Sequence, residues 1–249
     1  MNITRKGFLR ITGFSLVAVT ARRFLGAIGE RVAPARKARR WAMVVDIGKC
    51  LQKEGCIKCI AACNKAHNIP VFQDRRREIV WIWKAQFENV LGSEGGYTPG
   101  ALRGQPIPVL CNHCDDPPCT RVCPTQATWK REDGIVMMDW HRCIGCRYCI
   151  AACPYGSRSF NWSDPRPHIA ELNPDFPTRT TGVVEKCNFC EERLASGRPP
   201  ACVEACPEKA LVFGDLNDAG SPVRELLRSR YATRRKSELG TRPSIFYIV

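Results

Sequence analysis

The residues best placed to do chemistry are cysteines. Cys143, Cys146, Cys149 and Cys153 fall in the run Cys143-Ile144-Gly145-Cys146-Arg147-Tyr148-Cys149-Ile150-Ala151-Ala152-Cys153-Pro154, a C-x2-C-x2-C-x3-C-P spacing. Three thiolates in one tight loop can hold three corners of a single [4Fe–4S] cube. The fourth sits on the short helix that follows and points away. Where a chain holds two such cubes, this fourth cysteine ligates the other one. The run therefore implies one-electron chemistry, a cluster here, and a second cluster nearby.

All sixteen cysteines fall into four such quartets, with none left over: Cys50, Cys56, Cys59, Cys63; Cys111, Cys114, Cys119, Cys123; Cys143, Cys146, Cys149, Cys153; and Cys187, Cys190, Cys202, Cys206. Each ends in C-x3-C, and three continue into proline. The first continues into Asn64. We read them as sixteen ligands for four [4Fe–4S] clusters. Two other chemistries use cysteine in even numbers. Disulfides suit an exported chain, but cysteines crowded within a few residues are poorly placed to join distant loops. Zinc takes C-x2-C pairs, and the fourth quartet alone would pass as a zinc site. The other three each set three close thiolates beside a remote one, which is cluster spacing.

The elements that must position these loops repeat along the chain. Met43 to Cys50 parallels Val136 to Cys143, each reading as a short strand that runs into a cysteine loop. Gly55-Cys56 matches Gly145-Cys146, and Cys59-Ile60-Ala61-Ala62-Cys63 matches Cys149-Ile150-Ala151-Ala152-Cys153. The first loop is three residues longer. Cys111-Asn112-His113-Cys114 likewise parallels Cys187-Asn188-Phe189-Cys190, and Pro117-Pro118-Cys119 parallels Pro199-Pro200-Ala201-Cys202. Strands are expected at Ala127–Trp129 and Ala210–Phe213. The fold class implied is α+β and loop-rich: tandem modules resembling bacterial-type ferredoxins, with an insertion and a C-terminal helix and arm. Gly145, Ala151 and Ala152 are small enough for backbone N–H groups to approach cluster sulfurs, one of the factors that set a reduction potential. A chain rich in loops buries a modest core, and metal ligation then supplies much of its folding free energy.

The net charge is +14, but ten Lys/Arg against one acid place +9 of it in residues 1–40. The rest of the chain carries +5, and each oxidised cluster with its thiolates adds roughly −2. The basicity is therefore weak evidence for nucleic acid, which needs a clustered basic face on the folded domain. Residues 1–40 read as an export segment. Thr4-Arg5-Lys6-Gly7-Phe8-Leu9-Arg10 resembles the twin-arginine pattern with Lys6 in the second arginine's place, and an apolar run follows from Ile11 to Ala21. That run is shorter than the ~20 residues of a spanning helix, and Ala33-Pro34-Ala35 has the form of a cleavage site. Export of a folded, cluster-loaded protein fits this route.

Other chemistry finds little support. None of the four histidines, His67, His113, His141 and His168, completes a C-x2-C-H haem site. His113 and His141 lie beside cysteines, where a local hydrogen-bonding role outweighs cluster tuning. The glycine-rich stretch 92–104 lacks a dinucleotide fingerprint, and there is no P-loop. Trp129, Trp140, Phe160 and Trp162 are expected to pack over the clusters and exclude water. The cationic runs Arg75–Arg77 and Arg228–Lys236 read as solvated faces. The tail suggests a helix from Ser221-Pro222 to about Arg235 and an apolar strand or arm, Ser244 to Val249.

The four quartets, with the long gap between Cys190 and Cys202, resemble the four-cluster ferredoxin-like subunits of membrane-bound oxidoreductases such as polysulfide reductase, dimethyl-sulfoxide reductase and the formate dehydrogenases. The resemblance covers residues 41–215. The extended loop Cys50 to Cys59, the stretch Arg142 to Cys149 and Ser159-Phe160-Asn161-Trp162 are similar to the branch found in the sulfite-reduction-associated DsrMKJOP complexes. The resemblance implies a nested ligand scheme: Cys50, Cys56, Cys59 and Cys206 for one cluster; Cys63, Cys187, Cys190 and Cys202 for its neighbour; Cys111, Cys114, Cys119 and Cys153 for a third; and Cys123, Cys143, Cys146 and Cys149 for the last. The organisation that follows is an export or anchor segment 1–40, an outer cluster pair from 41–69 and 182–215, an insertion 70–108, an inner pair 109–165, and a tail 216–249 for partner docking. The implied role is electron transfer without bond chemistry, on the extracytoplasmic face of the membrane. The implied partners are an NrfD-type (DsrP) membrane subunit, a multihaem cytochrome c (DsrJ-type) and the other subunits of such a complex, with no nucleic acid. The subunit of a molybdopterin oxidoreductase is the alternative.

Overall fold

A computed structural model describes residues 38–92 and 99–249 of the chain. The export-like features at residues 4–23 and 33–35, and part of the glycine-rich stretch 92–104, lie outside the described residues. Among the described residues no helix is long and apolar enough to cross a membrane.

The strands are β1 (Trp41–Asp46), β2 (Ile82–Gln86), β3 (Pro106–Leu110), β4 (Thr128–Lys130), β5 (Val136–Met138), β6 (Ser159–Phe160), β7 (Val184–Glu185), β8 (Leu211–Asp215), β9 (Ala232–Thr233) and β10 (Ile245–Ile248). The α-helices are α1 (Ile47–Leu51), α2 (Lys58–Ala66), α3 (Phe87–Leu91), α4 (Pro118–Arg121), α5 (Tyr148–Ala151), α6 (Glu191–Ala195), α7 (Ala201–Glu204) and α8 (Pro222–Ser229). Three two-stranded ribbons, β2–β3, β4–β5 and β6–β7, accompany one four-stranded sheet of order β8-β1-β10-β9.

That sheet frames the first cysteine loop. β1 pairs antiparallel with β8, from Trp41 opposite Asp215 to Val45 opposite Leu211, and parallel with β10, from Met43 opposite Ile245 to Asp46 opposite Ile248. Side chains alternate between faces along a strand. Met43, Val45, Ile245 and Tyr247 point into the main core with Trp81, Ile107 and Val109. Ala42, Val44, Phe246 and Ile248 point the other way, under Val223, Leu226 and Leu227 of α8. A central strand covered on both faces can be apolar throughout, and every residue of β10 is buried. Each large side chain so buried contributes about 1.5–3 kcal/mol.

Of the two readings of the apolar end, strand or arm, the structure has the strand, an inner one whose hydrogen bonds and side chains are used within the chain. α8 stops earlier than expected, at Ser229. Arg230 is extended, and its guanidinium is held by Asp46 at 2.6 Å. The second cationic run is only partly solvated, because Arg235 is buried and Arg234 is half-buried. The insertion contributes to the core. Its ribbon β2–β3, with Ile82 opposite Leu110, brings Trp81, Ile107 and Val109 into the core and leads directly to Cys111.

Candidate iron–sulfur sites

The four cysteine loops share one backbone device. The residue just before the second cysteine of each quartet is left-handed: Gly55 (φ 66°), His113 (φ 40°), Gly145 (φ 69°) and Phe189 (φ 58°). That turn reverses the chain so that flanking thiols face a common centre. Two of the four positions spend a glycine on it, which adopts positive φ at no steric cost. At Gly145 there is a second reason: an added Cβ would stand 2.3 Å from the carbonyl oxygen of Gly182. Close approach of two backbones therefore demands glycine there. Where amides do meet sulfur, the donors are Phe189 N to Cys187 Sγ at 3.4 Å, Ala201 N to Cys190 at 3.3 Å and Ala210 N to Cys206 at 3.2 Å.

Asp46 and Asp139 also occupy matching places ahead of Cys50 and Cys143. Asp46 caps α1 by accepting from Lys49 N at 3.0 Å, and Asp139 accepts from His141 N at 2.9 Å. Cys50 itself lies within α1, so the longer first loop begins with a helical turn. A second departure follows Cys63. Proline ends a helix by removing a donor and clashing with the preceding turn, and α4, α5 and α7 are four residues each ahead of their Cys-Pro. With Asn64 in its place, α2 runs on to Ala66, nine residues long. The extension carries His67 inward, where Nε2 meets Glu192 Oε1 at 2.9 Å and Nδ1 meets the Cys63 carbonyl at 3.0 Å.

Cysteines distant in the chain come together. Cys50, Cys56, Cys59 and Cys206 line one cavity, and Cys123, Cys143, Cys146 and Cys149 line another. Cys63 is wholly buried, which pushes its thiol well up, and the charges of Cys187, Cys202 and Cys190 push it further. Burial likewise pushes Cys114 up to about 12, with Cys111, Cys119 and Cys153 among its neighbours. Adjacent sets also feel one another. After burial, Cys59 of the first acts on Cys202 of the second, Cys111 of the third on Cys187 of the second, and Cys119 of the third on Cys149 of the fourth.

All sixteen cysteines are free of disulfides, which removes the stapled-protein reading. Four buried thiols that repel one another as thiolates are poor company unless a cation gathers them, and thiolate is the form that binds metal. Buried side-chain atoms without a protein partner sit beside the third set: both polar atoms of Asn112, Nε2 of His113, and Nε and Nη1 of Arg235. Buried donors normally find acceptors, and inorganic sulfide is one. The donor sets fit iron–sulfur clusters, which when bound supply one-electron exchange.

His113 keeps the local role expected of it. Burial, then the charges of Lys186 and Arg158, hold it well below its ordinary value, and neutral Nδ1 accepts from Val136 N at 3.1 Å. His141 is solvent-exposed. The aromatic expectation divides. Trp140 and Phe160 pack beside the sets, whereas Trp129 and Trp162 are 39% and 55% exposed and exclude little water. Trp162 instead takes Arg147 on its ring at 4.8 Å.

Sequence reasoning missed the buried charges. Burial alone lowers His67, but its bonds to Cys190 and Glu192 overcome this and push it up to about 9. Its ring, Cys190 and Glu192 place ligand-type atoms within 4.8 Å of one another; Cys190 already belongs to the second set, so the other two are its surroundings. Arg179 and Glu185 form an ion pair at 2.7 Å with both side chains fully buried. Arg179 also reaches the His67 and Asn68 carbonyls, and Glu185 accepts from Trp81 Nε1 at 3.1 Å. Nothing in Thr178-Arg179-Thr180 signals this.

Cysteine sets on a loop-rich α+β frame define an iron–sulfur protein, and residues 103–167 and 172–216 match the family profile described as a 4Fe-4S dicluster domain. The chain is 41% identical to the Hdr-like menaquinol oxidoreductase iron-sulfur subunit 1 of Archaeoglobus fulgidus, over 98% of this chain and 97% of the relative. It is 37% identical to the menaquinone reductase iron-sulfur cluster-binding subunit of Nitratidesulfovibrio vulgaris (84% and 88%), and 36% identical to the B polypeptide of polysulfide reductase from Wolinella succinogenes (85% and 95%). The protein belongs to this family of iron–sulfur subunits of oxidoreductase complexes. It carries electrons and leaves the bond chemistry to other subunits.

Proposed function

We propose that the chain is a DsrO-type subunit. In this reading it holds four [4Fe–4S] clusters on the extracytoplasmic face of the membrane, reached by a twin-arginine-type route, in a complex linked to dissimilatory sulfite reduction. Electrons pass singly between an NrfD/DsrP-type quinone-reactive membrane subunit and a multihaem cytochrome c of the DsrJ type. The ligand sets are the nested ones, from Cys50, Cys56, Cys59 and Cys206 to Cys123, Cys143, Cys146 and Cys149, on tandem ferredoxin-like modules.

The observation that carries the reading is succession. Each set draws on separate parts of the chain, and its thiols act electrostatically on those of the next, Cys59 on Cys202, Cys111 on Cys187 and Cys119 on Cys149, an order that supports a line of centres with two ends. The residues' work is to space the centres, shield the middle ones and present the outer ones; Cys146 of the fourth set is exposed. The 41% identity to a menaquinol oxidoreductase subunit supports the quinone side. The likeness to a polysulfide reductase polypeptide keeps the molybdopterin-enzyme reading as the second one. The test is purification of the native complex with iron and acid-labile sulfide assays. About sixteen irons per chain are expected for four cubes, and four or fewer end this reading. Copurification with a membrane subunit and a multihaem cytochrome supports the DsrO assignment; a molybdopterin subunit in their place selects the second.

A further inference from the structure

Among the described residues, Arg158, Arg179, Lys186 and Arg235 are buried cations. Arg179 has its counter-charge in Glu185. None of the other three has a carboxylate within ion-pair distance among the described residues; Arg158 bonds a thiol of the third set, Cys111, Cys114, Cys119 and Cys153, Arg235 lies over a ring beside that set, and Lys186 sits between it and Cys187 of the second set. Arg158 Nη2 donates to Cys119 Sγ at 3.0 Å and to Thr128 Oγ1 at 2.9 Å, and Nη1 lies 3.8 Å from Met138 Sδ. Lys186 donates to the carbonyls of Val136 and Cys187. Arg235 lies over the Tyr155 ring, 5.4 Å from its centroid, with Nε and Nη1 buried and unpartnered. Tyr155 itself adjoins Cys114 and Cys153.

A buried charge without a partner is costly, and the anionic groups beside Arg158 and Arg235 are those of the third set. Arg158 donates to Cys119, and Cys119 packs in one buried cluster with Cys149. Cys149 belongs to the fourth set, so this one side chain serves two sets. The second set differs. Its four cysteines are all buried; His67 beside it has its own carboxylate in Glu192, and Lys186 is held by the carbonyl of Cys187 rather than by a thiol.

We propose that Arg158 and Arg235 make the centre at the third set the strongest electron acceptor of the chain, and that Arg158 extends the effect to the fourth. Net charge, hydrogen bonds to sulfur and exposure set such potentials. An added electron makes a buried centre more negative; fixed positive charge and an N–H···S bond favour that reduced form. A guanidinium keeps its proton at any working pH, so the bias does not vary with pH. The electron then dwells in the middle of the line.

This rests on the cysteine sets being cluster ligands, and the test separates the two claims. The loaded chain in its complex is titrated against ambient potential by electron paramagnetic resonance, with iron counted alongside. Arg158→Gln is expected to keep its iron and lower two midpoints, so that the reduced-to-oxidised ratio of those centres falls about tenfold at a fixed potential, or about 59 mV for one electron. Arg158→Lys keeps the charge and is expected to stay within about threefold of the parent ratio, whether or not the Gln variant loads. A loaded Gln variant with every midpoint unmoved overturns the proposal, as does a loaded Lys variant shifted tenfold. A parent protein without iron sinks the ligand reading instead.

Discussion

His113 and Phe189 stand at the same place in two different cysteine loops, and their rings stack, with centroids 3.7 Å apart and planes 17° from parallel. Both are left-handed, and both are buried to 1% exposure or less. The contact fastens the second loop, Cys111 to Cys114, to the fourth, Cys187 to Cys190. It lies where the second and third sets meet.

Phe189→Ala removes one half of that stack and leaves a void beside Phe213. Burial loss and cavity together cost about 3–5 kcal/mol. Urea unfolding of the loaded protein is expected to show that loss with the slope unchanged. A midpoint equal to the parent's would mean the stack holds nothing together.

Gly145→Ala and Gly55→Ala change equivalent left-handed positions with unequal surroundings. At Gly55 nothing lies within 4 Å of an added Cβ, so the cost is the backbone strain of about 1–2 kcal/mol. At Gly145 the Gly182 carbonyl blocks it. We expect the Gly55 variant to keep its iron and the Gly145 variant to lose about four irons per chain. Equal iron contents would refute the steric argument.

Glu185→Gln leaves Arg179 buried without its counter-charge. Breaking such a pair costs about 3–5 kcal/mol. Replacing both, as Arg179→Met with Glu185→Leu, is expected to recover at least half of that in thermal unfolding. If the double variant were less stable than the single, the desolvation argument would fail.

Stripping the iron makes stability depend on pH. Burial first, then neighbouring thiolates, lifts Cys59 from 9.0 to about 11 and Cys114 to about 12. These are raised values, so the folded metal-free chain prefers protonated thiols. The stabilisation is complete below the unfolded value and is lost as pH rises from about 9 towards 11–12. The thermal midpoint of chelated, reduced protein is expected to drop between pH 8 and pH 10.5, while the loaded protein's stays level. A flat metal-free profile would contradict this.

Much of the site is legible because its chemistry is written in spacing. Four quartets, a repeated strand-to-loop pattern and the strands β1, β4, β5 and β8 can all be read from residue order. The place of Ile245 to Ile248 cannot. Their parallel partner is two hundred residues away, and an apolar tetrapeptide looks the same at an edge or in the middle of a sheet. Asn64 is visible as a missing proline, but its consequence, a longer α2 that delivers His67 to Glu192, needs the packing. Arg158, Arg179 and Lys186 carry no mark that separates them from the other Lys and Arg residues. Charge inside a protein is set by what surrounds it, and those surroundings come from other segments.

The pairing of β1 with β10 has a bearing on biosynthesis. The sheet joins residues 41–46 to residues 245–248, a contact of very large sequence separation, and such contacts form late. While the polypeptide is still emerging from the ribosome, β1 has no parallel neighbour, and Cys50 and Cys56 hang from an unfinished frame. Every thiol of the four quartets is therefore translated before the scaffold can shut. The cysteine loops are thus all in place before β10 can complete the sheet.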